Sequence, residues 1–551
     1  MKRRDLLLGA GILGAFRPML AKADADADRR TICPIQDISE VIVFKTPEMF
    51  GAIGNGITDD TDAIQKAAEW LTSHSFYKLI FNPGKTYRIT KTINFDFDKD
   101  VFGCCIDMQG PIKPDNHTGD CMVFNRAVGA ILHLSVIGDG VSDDDEIPDY
   151  SKPDPKNAQQ AFVINASRST RITCIGFGFK GRVLRTKSTG GLKTSFLEIN
   201  LWTGDKDFVF KNGRCGQAAY LIGDTDAFGL ITNAYTNWDV YGSVLYKLTD
   251  LTIGHWEFGA GTKNPALNII GCQTVHAVVL SGGASSANYP VLKIEPAKDQ
   301  KCIGINIQRL FMTSGKNNLE IIGGGMDDIT RKPLTINSLY SYKSIENAVL
   351  IDGASNIEIH NAYIDDTKNG IAISGICSNI QLSGYIKNPT DYGIVSFEGS
   401  ELRGLLFSGR ILSSSTTKSC IDFSRSLLSR ATFRDSYIFG SHAIFELNER
   451  NEVSVFGGHI EGGTIFVGSR PKIFKDISGI LTKATGIVRT NKETVITHGL
   501  IMRPHEIYVT PMGINNGFYI SDINNKTFTV IINNSSDEYV DVIWTASCEN
   551  Q

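Results

Sequence analysis

Phe50-Gly51-Ala52-Ile53-Gly54-Asn55-Gly56-Ile57-Thr58-Asp59-Asp60-Thr61-Asp62-Ala63-Ile64-Gln65 is the stretch on which the fold turns. Its glycines supply turns, and Asp59, Asp60 or Thr61 can cap a helix start. Ala63, Ile64, Ala67, Ala68 and Leu71 then recur at helical spacing and form one apolar face, which predicts a short amphipathic helix after a glycine-rich turn. Working outward, Leu79-Ile80-Phe81-Asn82-Pro83-Gly84-Lys85-Thr86-Tyr87-Arg88-Ile89 sets an apolar run, a Pro-Gly turn and an alternating run in order, which predicts two strands.

Together these segments resemble the opening of the pectate-lyase-superfamily domain, found in phage tailspikes, capsule depolymerases and many secreted bacterial β-helix proteins. The family pattern is Phe-Gly-Ala-x-Gly-Asp-Gly-x-Thr-Asp-Asp-Thr-x-Ala-Ile-Gln followed by a strand with Pro-x-Gly-x-Tyr; Asn55 stands here where the family often has Asp. The resemblance implies an all-β chain, a right-handed parallel β-helix whose open N-terminal end is capped by the helix. Asp59 and Asp60 are then capping residues rather than catalysts.

An internal repeat supports the same architecture. Asn361-Ala362-Tyr363-Ile364, Ser383-Gly384-Tyr385-Ile386, Ser408-Gly409-Arg410-Ile411, Asp435-Ser436-Tyr437-Ile438 and Gly457-Gly458-His459-Ile460 align, with final isoleucines 22, 25, 27 and 22 residues apart. A short alternating strand recurring at that period predicts a coil of stacked parallel strands, each turn burying its apolar side chains against its neighbours. No long amphipathic crossover helix follows Leu71, which argues against a doubly wound α/β fold. The β-helix is expected over residues 46–483. From 484 to 551 the rhythm breaks into five strands with hairpin turns, a small C-terminal antiparallel β-module in which His498 and Trp544 serve packing.

The N-terminus is expected to be an address. Lys2, Arg3 and Arg4 precede the apolar run Leu6 to Phe16, with Ala21-Lys22-Ala23 as a small-residue cleavage site, so residues 1–23 predict an export signal and 24–45 a linker. The paired arginines resemble a twin-arginine signal; a general secretory leader fits the same residues. Export places the protein in the periplasm or outside the cell. Removing the leader takes away five basic residues and one acidic one, moving the formal charge from −4 to −8, which argues against nucleic acid or an anionic membrane as partner. The eleven cysteines show no metal-ligand spacing and read as buried small apolar residues, with a bridge from Cys104 or Cys105 to Cys121 left open.

On a coil of this kind, equivalent positions in successive turns lie about 4.8 Å apart, so an outer face can hold an extended glycan. A catalytic carboxylate pair must come from the same turn or from turns one or two apart, because glycosidases need carboxyl groups about 5–9.5 Å from each other. Ile199 to Phe258 is the richest segment and holds three of the five tryptophans. Aligning Ile199, Ile231 and Ile253 predicts Trp202, Tyr235 and Trp256 close together on consecutive turns; with Trp238 they are the expected sugar-stacking residues. Asp224, Asp226 and Glu257 are the expected acids, bases or nucleophiles. Asp365, with Lys387 one turn later, is a second candidate, about 19 Å from Glu257 and so unable to serve the same bond cleavage.

His255-Trp256-Glu257 and His459-Ile460-Glu461 put His and Glu on one side of a strand without a third metal ligand. Asp143-Asp144-Asp145-Glu146 reads as a solvated loop. The galacturonase signature of the family does not occur, nor does a caged-calcium cluster of aspartates, and no cofactor is expected. The expected function is cleavage of a capsule, exopolysaccharide or other extended glycan, by a glycosidase ahead of a polysaccharide lyase; a noncatalytic glycan-binding or structural β-helix is the rival. The tailspike likeness implies a homotrimer, which no heptad stretch supports.

Overall fold

The computed structural model describes residues 43–548 except 116–117, 142–144, 190–192, 205–213, 224–226, 238, 260–262, 284–287, 324–332, 470, 481–482, 502, 513–516 and 534–538. The leader expected at 1–23, and most of the linker, lie outside these residues. The rest forms a right-handed parallel β-helix of about 15 turns followed by small antiparallel sheets.

Helix α1 (Thr61–Thr72) buries Ile64, Ala67, Ala68 and Leu71, the face that the spacing predicts. The acidic pair before it works differently from a simple cap. Asp60 is the N-cap residue, yet its carboxylate accepts from the backbone N–H groups of Ile53 (2.7 Å) and Gly54 (3.1 Å), tying the glycine-rich turn to the helix. Asp59 instead takes the Thr61 backbone N–H at 3.1 Å and the Thr61 hydroxyl. Both roles are structural.

Each turn of the coil contributes to three faces. The first face stacks short strands such as Gln159–Asn165, Arg182–Lys187, Gln217–Ile222 and Ser243–Tyr246. The second and third share longer strands, for example Thr249–Gly259, Gln273–Gly283 and Ile303–Thr313. In Thr249–Gly259 the inside–outside alternation breaks at Gly254 and His255, both turned outward between buried Ile253 and Trp256; that phase slip is the corner between the two faces. The second face carries a core file Ile199–Ile231–Ile253–Ala277–Ile307–Ile336–Ile359–Leu382–Phe407, each paired with the next. On the third, Ile364, Ile386, Ile411, Ile438 and Ile460 pair in the register the repeat predicts, all buried.

Among the described residues the antiparallel part has six strands, one more than predicted: Lys483–Thr490, Val540–Ser547 and Glu506–Pro511 form one sheet, Glu493–Thr497, Thr527–Ile532 and Phe518–Ser521 the other. His498 and Trp544 are buried around Phe528. Cys104, Cys105 and Cys121 are free thiols, so none of the bridges left open by the sequence forms; burial pushes the Cys104 thiol up to about 11. Among the described residues no helix is long and apolar enough to cross a membrane.

Candidate functional site

The third face turns a single file of side chains outward. Register runs from Ile175 to Trp202, Tyr235, Glu257, Ser281, Phe311 and Tyr340. It continues through Tyr363, Tyr385, Arg410 and Tyr437 to His459. From Trp202 to His459 this is ten strand steps, or about 48 Å of coil. Aromatic side chains dominate because alternation within each strand seats an isoleucine, leucine or similar residue inward beside them, and the rings cover the outer surface of the sheet.

Toward the N-terminal end the file floors a groove of about 490 Å³ lined by Thr173, Ile175, Trp202, Asn233, Tyr235 and His255, among others. Trp202 is 49% exposed and lies 5.7 Å from Tyr235 between ring centroids. Glu257 sits one strand further, opposite Tyr235, and its carboxylate accepts from Asn237 Nδ2 at 3.1 Å. His255 faces out on the same strand. A ring floor beside a hydrogen-bonded carboxylate is a geometry that can stack a sugar and deliver or accept a proton.

Trp256 is a correction to the expected stacking set. It is 0% exposed, pointing into the coil with its indole N–H on Thr236 Oγ1 at 2.9 Å. The register shifts between Ile199 and Asn200, where Thr232 is an extra residue on the facing strand. Tyr235 therefore stands opposite Trp202, and the unshifted pairing with the next strand puts Trp256 opposite Ala234 and Glu257 opposite Tyr235. Asp224, Asp226 and Trp238 lie outside the described residues. Asp239, on the turn after Asn237, is 1% exposed and takes Thr203 Oγ1 at 2.9 Å and the Cys215 backbone N–H at 3.3 Å; burial pushes its carboxyl up to about 7 against those hydrogen bonds.

Asp365 lies four turns along from Glu257, beside the file. Its carboxylate accepts from Lys387 Nζ, the Tyr363 hydroxyl and Asn388 Nδ2, each at 3.3 Å. Further on, His459 Nε2 is 3.4 Å from Glu461 and its ring stacks on Tyr437 at 5.1 Å. Asp145 of the acidic loop pairs with Lys180 at 3.4 Å, while Asp143 and Asp144 lie outside the described residues. Among the described residues no three His, Cys, Asp or Glu side chains converge as a metal site requires.

The sequence reasoning passed over Phe311, Tyr340, Tyr363, Tyr385, Arg410 and Tyr437. The signal was the penultimate position of the repeat, which reads Tyr363, Tyr385, Arg410, Tyr437, His459 and by strand alternation must face opposite to the buried isoleucine that follows.

No family model matches the chain. The capsule K30/K69-specific depolymerase of Klebsiella phage K64-1 is 48% identical over 56 residues, 10% of this chain and 7% of that protein, so the chain matches only a small part of that relative's length. Among solved structures, the tailspike protein of Pseudomonas phage LKA1 is similar at 10% identity and a TM-score of 0.35, covering 92% of this chain and 100% of that one. PfbA, a surface adhesin of Streptococcus pneumoniae, is similar at 12% identity and a TM-score of 0.34 over 78% of this chain and 92% of that one. A Thermotoga maritima exopolygalacturonase is similar at 10% identity and a TM-score of 0.32 over 72% and 91%. None of these alignments assigns a role to a side chain described above.

Proposed function

We propose that this pectin-lyase-like parallel β-helix is an exported protein that holds an extended polysaccharide lengthwise on its third face and cuts it in the groove at Trp202, Tyr235 and Glu257. The observation that carries the reading is the unbroken outward file, in which Trp202 and Tyr235 stand one strand apart and Glu257 follows directly. Exposed rings at that spacing suit a ribbon of pyranose rings, whose faces are apolar and whose edges are polar. Glu257 is placed to exchange a proton with the bound sugar, and His255 borders the same groove. Hydrolysis is the leading chemistry and β-elimination the alternative.

A noncatalytic glycan binder is the second reading. It is favoured by one feature: the described residues that line the groove include no carboxylate, and Glu257 stands beside it, opposite Tyr235, where hydrolysis calls for two carboxyl groups. Purified protein incubated with bacterial and plant polysaccharides separates the cases. New reducing ends without absorbance of unsaturated uronates indicate hydrolysis, both signals indicate β-elimination, and retention on a glycan array with neither signal indicates binding alone. Glu257→Gln is expected to lower the cleavage rate at least about 100-fold, the usual scale of a lost general acid or base. Full activity in Glu257→Gln, Asp224→Asn and Asp226→Asn would remove the aromatic-rich segment from Ile199 to Phe258 as the source of the cutting residues, and loss in Asp365→Asn would move the site four turns along.

A further inference from the structure

Beyond the groove, the outward file changes character. Phe311 and Tyr340 are 43% and 42% exposed, with centroids 6.2 Å apart. Tyr340 and Tyr363 stack face to face at 5.3 Å with planes 3° apart, and Tyr385 follows edge-on at 5.7 Å. Arg410 closes the run. Cations border it throughout: Arg309 two residues before Phe311, Lys343 over the ring of Tyr342 at 5.1 Å, and Lys387 beside Tyr385. Among the described residues neither Arg309 nor Arg410 has a carboxylate partner, and Asp365 offsets Lys387 alone.

We propose that Phe311, Tyr340, Tyr363, Tyr385 and Arg410 form a second glycan-binding site that holds an acidic stretch of the polymer, apart from the groove. It rests on the reading of the third face as a glycan track, and it adds the charge of the ligand. Phe311 lies two strand steps from Glu257, about 10 Å, so one chain lying along the coil reaches both. Rings supply stacking for sugars of any charge; the interleaved arginines and lysine supply the preference for carboxylate or sulfate. A second copy of the protein is a poor occupant, since interface cores are depleted of charge and this one would bury Arg309 and Arg410 unpaired.

Lys387 and Tyr363 serve binding rather than proton abstraction. Its hydrogen bond to Asp365 holds Lys387 above the ordinary lysine range, and desolvation with the same carboxylate holds the Tyr363 hydroxyl protonated, so neither group is poised to take a proton from substrate near neutral pH.

Affinity electrophoresis of the full chain through alginate, dextran or a single-stranded oligo(dT) tests this, in a Glu257→Gln background so that cutting does not intervene. Alginate is expected to retard the protein and dextran and oligo(dT) to leave it free. Tyr340→Ala with Tyr363→Ala should weaken alginate binding about tenfold. Tyr340→Phe should keep it, which separates lost stacking from a damaged fold. Lys387→Gln with Arg410→Gln should remove most of the dependence on salt. Alginate binding that is absent, matched by dextran or oligo(dT), or indifferent to both double variants overturns the proposal; so does a fall in solution mass in the tyrosine variant, which would mark a subunit interface. Retention that depends on these residues in a protein that cuts no polysaccharide would instead sink only the depolymerase reading.

Discussion

Asp239 shows how far a side chain's chemistry depends on what covers it. Beside Trp238 in the sequence it looks like one more surface acid, but it is sealed beneath the turn with Thr203 and Cys215 as hydrogen-bond donors, and burial holds its carboxyl at about 7. The unfolded chain releases that proton near pH 3.9. The folded state thus keeps a proton the unfolded state has lost, so the stability Asp239 contributes is present below about pH 4 and is lost as pH rises toward 7. Asp239→Asn cannot ionise, and its melting temperature should gain on the native protein from pH 4 to 7 and hold a constant margin above. A margin that does not change across that range would show that Asp239 does not titrate there. Trp256 teaches the same lesson from the other side: an indole that composition assigns to sugar binding is core, because the slip in alternation at Gly254 and His255 turns it inward.

The strands owe their stacking to what happens at their corners. Gly384 and Gly409 pair with each other at φ +145° and +149°, and a Cβ on Gly409 would collide with the Gly384 carbonyl oxygen. Only glycine lets successive backbones approach there while turning toward the third face. Gly409→Ala should cost about 1–3 kcal/mol, read as a lower denaturation midpoint. Gly399→Ala is the control: its φ is +77° but nothing lies within 4 Å of the added Cβ, so it should cost less. Equal midpoints in the two variants would mean that close packing at the corner is not what glycine provides. The same corners carry the site, since the bend that turns Gly384 and Gly409 presents Tyr385 and Arg410 outward and buries Ile386 and Ile411.

A coil that adds core by adding length has two ends with unpaired strand edges, and α1 covers one of them with Ile64, Ala67, Ala68 and Leu71. Leu71→Asp should unseat that helix without melting the coil: the strand circular-dichroism signal persists while light scattering rises as exposed ends associate. Unchanged scattering with a normal spectrum would count against the capping role. The amino-acid order was sufficient for the architecture, because a period of 22 to 27 residues, an alternating strand in each repeat and an amphipathic helix at the start leave a stacked parallel coil as the way to bury those faces. Periodicity is a local property, and local properties can be read along a chain. Which outward side chains meet is not local. It depends on the register of each turn against the next: a single inserted residue at a corner, Thr232, puts Tyr235 instead of Ala234 opposite Trp202, while five turns in succession bring Phe311, Tyr340, Tyr363, Tyr385 and Arg410 into one file. That convergence exists only once the chain has wound upon itself, since it joins residues about a hundred positions apart through a stack of backbone hydrogen bonds.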